Sequence, residues 1–273
     1  MSVDADNRAF ASGATGLTGG FFSGLTGVGG GAIMIPLMTG VLKMRQHTAH
    51  GTSLVVIIFA AGASAITYQF SEGVRWPLVG VLLPASLAGA YLGATGVQFI
   101  PGMRLRQLFG AFILLVGLRL LLFGEGQPLA SVDGLAELAV GAAVGLVGGL
   151  ISGALGVGGA AIYIPALVLL LGVEQHEAQG VSLCVIVGAA AVGAFTHARH
   201  GTLDGRAASW IAPAAVPAGI AGSFLAAELD ANVLQRIFAV VAIIVGTQLF
   251  ATATRALRAT PLPQVEADVG AIA

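Results

Sequence analysis

The sequence predicts an all-α polytopic membrane protein built from two inverted-topology repeats. Each repeat is a glycine-broken (hairpin or re-entrant) segment followed by three transmembrane helices. Three observations carry this expectation: long runs free of charge, a glycine–proline motif that occurs twice, and loop charges that differ in sign between the two halves. Of 273 residues, 56% are hydrophobic and only 9% charged, against about 25% charged in a soluble domain. Residues 49–70, 77–100, 107–118, 178–196, 207–227 and 237–254 contain no Asp, Glu, Lys or Arg. A membrane-spanning helix needs about 20 such residues. These runs are continuously apolar, unlike the short alternating segments of a β-barrel.

The N-terminus "MSVDADNR" is net acidic and lacks the basic region of a secretory signal peptide, so the first apolar segment is expected to be retained. That segment, residues 9–42, is wholly uncharged, and so is 138–173. As straight helices both would exceed 50 Å at about 1.5 Å per residue, far beyond the ~30 Å hydrocarbon core. The natural break is the glycine cluster in "GGFFSGLTGVGGGAIMIPL" (19–37), which returns as "GGLISGALGVGGAAIYIPA" (148–166) at an offset of 129. The offset persists into "QHTAHGTSL" from Gln46 and "QHEAQGVSL" from Gln175. Later, "PASLAGAYLGA" from Pro84 resembles "PAGIAGSFLAA" from Pro217 with four residues inserted. Such self-similarity marks an internal duplication. It divides the chain into a first repeat (1–124), a linker (125–134), a second repeat (135–258) and a flexible C-terminal tail (259–273).

Loop charge gives the orientation. Lys43 and Arg45 follow the first overlong segment and Arg104 and Arg106 precede the fourth span, but their second-half counterparts are Glu174 with Glu177 and Glu228 with Asp230. Basic short loops favour the cytoplasm. The consistent path starts inside, inserts the two halves in opposite senses, and ends inside with Arg255 and Arg258. Inverted repeats are a hallmark of secondary transporters.

Irregular backbone at membrane depth survives only where protein buries it or a cavity lines it. Short helices are expected from Ala32 to Leu42 and from Ala161 to Leu171, with their N-termini facing each other near the midplane. Free N–H groups and helix-end charge there favour an anion site, while the mirror-image reading, carbonyls coordinating Na⁺, uses the same break. Thr26, Gly27, Gly29, Gly30 and Gly31 in the first copy, and Gly156, Gly158 and Gly159 in the second, are the expected substrate contacts, with Ser53 and Ser182 adding hydroxyls. Pro36 and Pro165 are expected to kink the short helices. His50 and His197 are candidates for proton coupling. No carboxylate or Lys lies deep in a predicted span, so no metal site, cofactor or catalytic residue is expected, and no basic patch suggests nucleic acid. Cys184 stands alone and reads as a packing residue.

The doubled motif, with "HGTSL" and "QGVSL" after it, resembles the sulfite exporter TauE/SafE family of membrane permeases, and the resemblance runs from about Thr15 to Phe250. It implies a carrier in the bacterial inner membrane for sulfite, organosulfonates such as sulfoacetate, or related sulfur anions, with export the usual direction. Two departures stand out: Ala160 replaces Gly31, and Leu155 replaces Thr26. The expected partners are a small sulfur-containing anion, the lipid bilayer and a coupling ion (proton or sodium). Small-residue faces such as Gly20-x-x-x-Gly24, Gly149-x-x-x-Gly153 and Gly89-x-x-x-Gly93 read as helix packing, within the chain or in a homodimer. The alternatives are an anion channel, which would not saturate, and a membrane-embedded enzyme or accessory subunit with a lipid-like ligand, which should display a nucleophile–base pair.

Overall fold

The computed structural model describes residues 2–96, 102–123, 134–155 and 159–259. The linker and the C-terminal tail read from the sequence lie almost wholly outside them, as do Gly156 and Gly158. Among the described residues there are ten α-helices: α1 (Ser2–Thr26), α2 (Gly31–Gly40), α3 (Gln46–Ser71), α4 (Trp76–Gly96), α5 (Gly102–Phe123), α6 (Leu135–Leu155), α7 (Ala160–Leu171), α8 (Gln175–Arg199), α9 (Gly205–Glu228) and α10 (Ala231–Ala259). Seven of them, all but α1, α2 and α7, contain a stretch long and apolar enough to cross a membrane.

Each overlong apolar segment is broken in the way its glycines require. The first stops at Thr26 and resumes at Gly31; the second stops at Leu155 and resumes at Ala160. The second arms, α2 with 10 residues and α7 with 12, are about 15–18 Å long, half of a hydrocarbon core. Pro36 lies inside α2 and Pro165 inside α7. Each removes the N–H that would have bonded the carbonyl four residues earlier.

The two halves interlock. α1 packs on α9, and α6 packs on α4, so the first helix of each half finds its partner in the other half. Glycine makes these contacts close enough that an added Cβ has no room. At Gly20 it would strike the Ala215 backbone, and at Gly149 the Ser86 backbone; Gly16 meets Ile211 and Gly145 meets Leu82 in the same way. These pairs keep the 129-residue register through α4 and α9 with no insertion, in place of the four-residue shift that the Pro84/Pro217 likeness suggested. Four residues are close to one helical turn, so similarity of small residues on one face does not distinguish the two registers.

Counterpart helices also pair. Along α3 and α8, Gly51 lies against His197, Gly193 against Leu54, and Gly180 against Tyr68. As the residue number rises on one helix it falls on the other, so the two run antiparallel. The same holds for α5 and α10, where Gly117 meets Ala239 and Gly110 meets Gly246 and Phe250. One end of the bundle therefore gathers Lys43, Arg45, Arg104, Arg106, Arg199 and Arg206, and the other gathers Glu72, Glu137, Glu174, Glu177, Glu228 and Asp230. The large apolar side chains left on the outside, such as Phe59, Phe70, Leu108, Leu115 and Phe224, suit a lipid surrounding.

Packing through glycine is directly testable. Gly20→Leu and Gly149→Leu, which drive a side chain into the facing backbone, are expected to destabilise by at least about 1–3 kcal/mol each and to lower the unfolding temperature in detergent. Gly80→Ala, whose added methyl has nothing within 4 Å, is expected to raise it through up to about 1 kcal/mol of helix propensity.

Candidate functional site

The break between α1 and α2 is built by three glycines in the left-handed region, Gly27 (φ 70°), Gly29 (φ 81°) and Gly30 (φ 71°), where a residue with a Cβ is strained by roughly 1–2 kcal/mol. The break leaves the last carbonyls of α1 without helical partners, and the protein meets several of the carbonyls around it. Phe22 O accepts from Thr26 Oγ1 at 2.7 Å, Ser23 O from the Gly27 amide at 2.9 Å, Gly24 O from the Tyr68 hydroxyl at 3.1 Å, and Gly27 O from Ser182 Oγ at 3.1 Å. The amide side is different. The first amides bonded inside α2 are those of Ile33 and Met34, both onto Gly30 O. Those of Gly31 and Ala32 are the orphan donors of the first turn.

Gly31 and Ala32 line a cavity of about 540 Å³ that lies toward the basic end of the bundle. Ile35 and Pro36 of α2 continue its wall, and the first turns of α3 contribute Gln46, His47 and His50. Arg106 of α5 and His197 of α8 add cationic or protonatable groups, and Val245, Gln248, Leu249 and Thr252 of α10 close the side. The His50 and His197 rings sit with centroids 5.9 Å apart. Thr202 Oγ1 donates to the His197 carbonyl at 3.2 Å, so it accepts from His197 Nδ1–H at 2.8 Å. That leaves Nε2 as the lone-pair nitrogen of the neutral ring.

The sequence-predicted contacts divide. Gly31, His50 and His197 meet at this vestibule. Ser53 is buried and donates to the His50 carbonyl at 2.8 Å, so it supports the histidine's backbone. Gly27 lies against Gln179, and Gly29 against Ile57 and Ile186. Gly30 and Gly19 enclose Met34, as Gly159 and Gly148 enclose Tyr163. The two short helices are not equivalent. α2 buries Gly31, Met34 and Met38, whereas α7 buries Ala160, Ile162, Tyr163, Ile164, Pro165 and Leu167 within a large apolar cluster. Tyr163 also hydrogen-bonds Ser86. Ala160 at the start of α7 is buried, and among the described residues none from that helix lines the cavity. Arg106, Gln46 and Gln248 are not among the site contacts expected from the sequence. The signal for them was the α3–α5–α8–α10 pairing, which only the fold supplies. Among the described residues no three His, Cys, Asp or Glu side chains converge as a metal site.

The family model described as sulfite exporter TauE/SafE matches residues 3–120 and 141–272. A probable membrane transporter protein of Xylella fastidiosa (strain 9a5c) is 30% identical over 232 residues, covering 83% of this chain and 89% of that protein. The probable membrane transporter protein YunE of Bacillus subtilis is 26% identical over 257 residues, with 86% and 94% covered.

Strain at the break predicts a difference between neighbouring glycines. Gly30→Ala is expected to lose about 1–2 kcal/mol from backbone conformation alone, and more from the Gly19 carbonyl beside it. Gly31→Ala meets only the mobile end of Ile57, at 3.1 Å, and should keep its stability. Thermal unfolding of the two variants in detergent measures the contrast.

Proposed function

The chain belongs to the sulfite exporter TauE/SafE family and is a membrane transporter, not an enzyme; we propose that it is a secondary carrier that exports a small sulfur-containing anion, such as sulfite or the organosulfonate sulfoacetate, by alternating access across the bacterial inner membrane. The observation that carries the anion reading is the one-sided chemistry of the first break. Carbonyls around it accept from Thr26, Tyr68 and Ser182, while Gly31 and Ala32, which carry the unbonded amides of the first turn, line the vestibule. A floor of donors with a positive helix end favours negative charge. His50, His197 and Arg106 around it add cationic character without a carboxylate among the lining residues.

Direction follows from charge. Short basic loops mark the cytoplasmic side, which puts the vestibule mouth and both termini inside. The interior is electrically negative, so each unit of negative charge leaving gains about 2.3 kcal/mol per 100 mV, close to a fifty-fold gradient without any coupling ion. A cationic mouth on that side gathers a dilute anion. The proton is the coupling ion this site favours, since imidazole is the side-chain type suited to taking up and releasing a proton. In this reading Gly27, Gly29, Gly30 and Gly31 shape the first break, Gly156, Gly158 and Gly159 the second, and Thr26, Ser53 and Ser182 hold the backbone that the anion passes.

The test is counterflow of radiolabelled sulfite in proteoliposomes, with sulfoacetate and sulfate as competitors. Saturable exchange inhibited by sulfur anions supports the carrier; unsaturable flux would favour a channel, and no flux of any sulfur anion would overturn the cargo. Protonated histidines hold the anion, so affinity should fall as pH rises. His50→Gln and His197→Gln are each expected to flatten that profile and weaken half-saturation by about tenfold at the acid end.

A further inference from the structure

The polar residues of the vestibule have counterparts 129 positions along the chain, and those counterparts are buried at the acidic end of the bundle. Gln46 and His47 correspond to Gln175 and His176, which are 2% and 5% exposed; His50 corresponds to Gln179 (0%) and His197 to Tyr68 (1%). The same positions are therefore open on one side and shut on the other.

The shut set is not an ordinary core. Tyr68 shares its one hydroxyl hydrogen between the Gly24 carbonyl and Gln179 Oε1, and His176 Nε2 lies 3.0 Å from the Ala226 carbonyl. Yet both amide atoms of Gln175, Nδ1 of His176 and Nε2 of Gln179 have no hydrogen-bond partner within the protein. Buried polar groups are almost always satisfied, because leaving one unmet forfeits its hydration. Four such atoms grouped on one turn and a half of α8 are the mark of groups that find partners in another state. The same end of α8 also carries charge. Arg75, in the α3–α4 loop, pairs with Glu137 of α6 at 2.8 Å and approaches Glu177 of α8 at 3.8 Å, which ties the first half to the second at this mouth.

We propose that Gln175, Gln179, His176 and Tyr68 form a second station for the same oxyanion, closed here and opened to the other side of the membrane when the vestibule shuts, with the Arg75–Glu137–Glu177 ion pairs as its latch. This rests on the carrier reading above. Gln179 lies against Gly27, its side-chain carbons 2.8–2.9 Å from where a Cβ would stand, so it borders the same glycine break that floors the vestibule. Its amide N–H is the donor that receives the anion on the far side. The chemistry of the two stations differs in a useful sense: His50 is replaced by a neutral amide and His197 by a phenol. The anion moves from a vestibule with His47, His50, His197 and Arg106 to a station whose one protonatable group is His176, which holds it less tightly on the release side.

The experiment uses the full chain with Cys184→Ala, carrying Gln46→Cys or Gln175→Cys, and a membrane-impermeant thiol reagent presented to both faces. With the latch intact, Q46C should label rapidly and Q175C slowly. Arg75→Ala, and independently Glu137→Gln, should raise the Q175C rate at least tenfold and lower the Q46C rate. Unchanged Q175C labelling in both latch variants, or a rise at both cysteines together, would overturn the proposal. Gln179→Ala should in addition weaken half-saturation for sulfite about tenfold at unchanged amounts of protein in the membrane; unaltered half-saturation would remove Gln179 from the station. Reciprocal labelling without sulfite flux would retain the two stations and reject the cargo, whereas saturable flux with Q175C shut in every variant would reject the stations alone.

Discussion

Hydrocarbon cannot hydrogen-bond a peptide group, and that constraint governs everything around the broken segments. A helix that stops at Thr26 leaves carbonyls on one side and amides on the other. The carbonyls of Phe22, Ser23, Gly24 and Gly27 find their donors in Thr26, the Gly27 amide, Tyr68 and Ser182, drawn from α1, α3 and α8. Because Ser182 belongs to the second half and the break to the first, satisfying the backbone already requires both halves. Gly31 and Ala32, at the start of α2, line a cavity instead. Function at this site is what remains once the carbonyls have been paid off.

The two copies of the glycine motif pack alike where they meet α9 and α4: Gly20 on Ala215 is matched by Gly149 on Ser86. The departure from symmetry is in how deep the short helices sit. Met34 and Tyr163 are counterparts, each held between two glycines, but Met is an adaptable thioether, while Tyr163 is a rigid ring anchored to Ser86. α7 is sealed in the core and α2 borders a cavity. Both halves use one set of contacts to stay together and a different set to differ.

Much of the fold could be read from the sequence because glycine and charge are strong local signals. The breaks were expected to resume at Ala32 and Ala161 and resume at Gly31 and Ala160; each is one residue early, because the preceding glycine, Gly30 or Gly159, takes the capping position. The histidine pair was legible as two separate candidates, but not as neighbours, since His50 and His197 are joined only by the antiparallel crossing of α3 and α8. Least legible was the choice of which helix start would border a cavity. The two copies are nearly the same string, and what separates them is a packing state, to which local sequence is blind. Gln179 and Tyr68 were visible only as the positions opposite those histidines.

The interlocking of α1 with α9 and of α6 with α4 has a consequence for how the protein is made. When α6 leaves the ribosome, its partner α4 is already in the membrane, so its glycine face can dock as soon as it is inserted. α1 has no such partner until α9 has been synthesised, almost the whole chain later. For most of translation the ridge formed by Gly16, Gly20 and Gly24 must wait unpaired, in lipid or in the care of an insertase. Biogenesis is therefore committed last at the element that comes first, and a chain truncated before α9 would leave its opening helix without a berth.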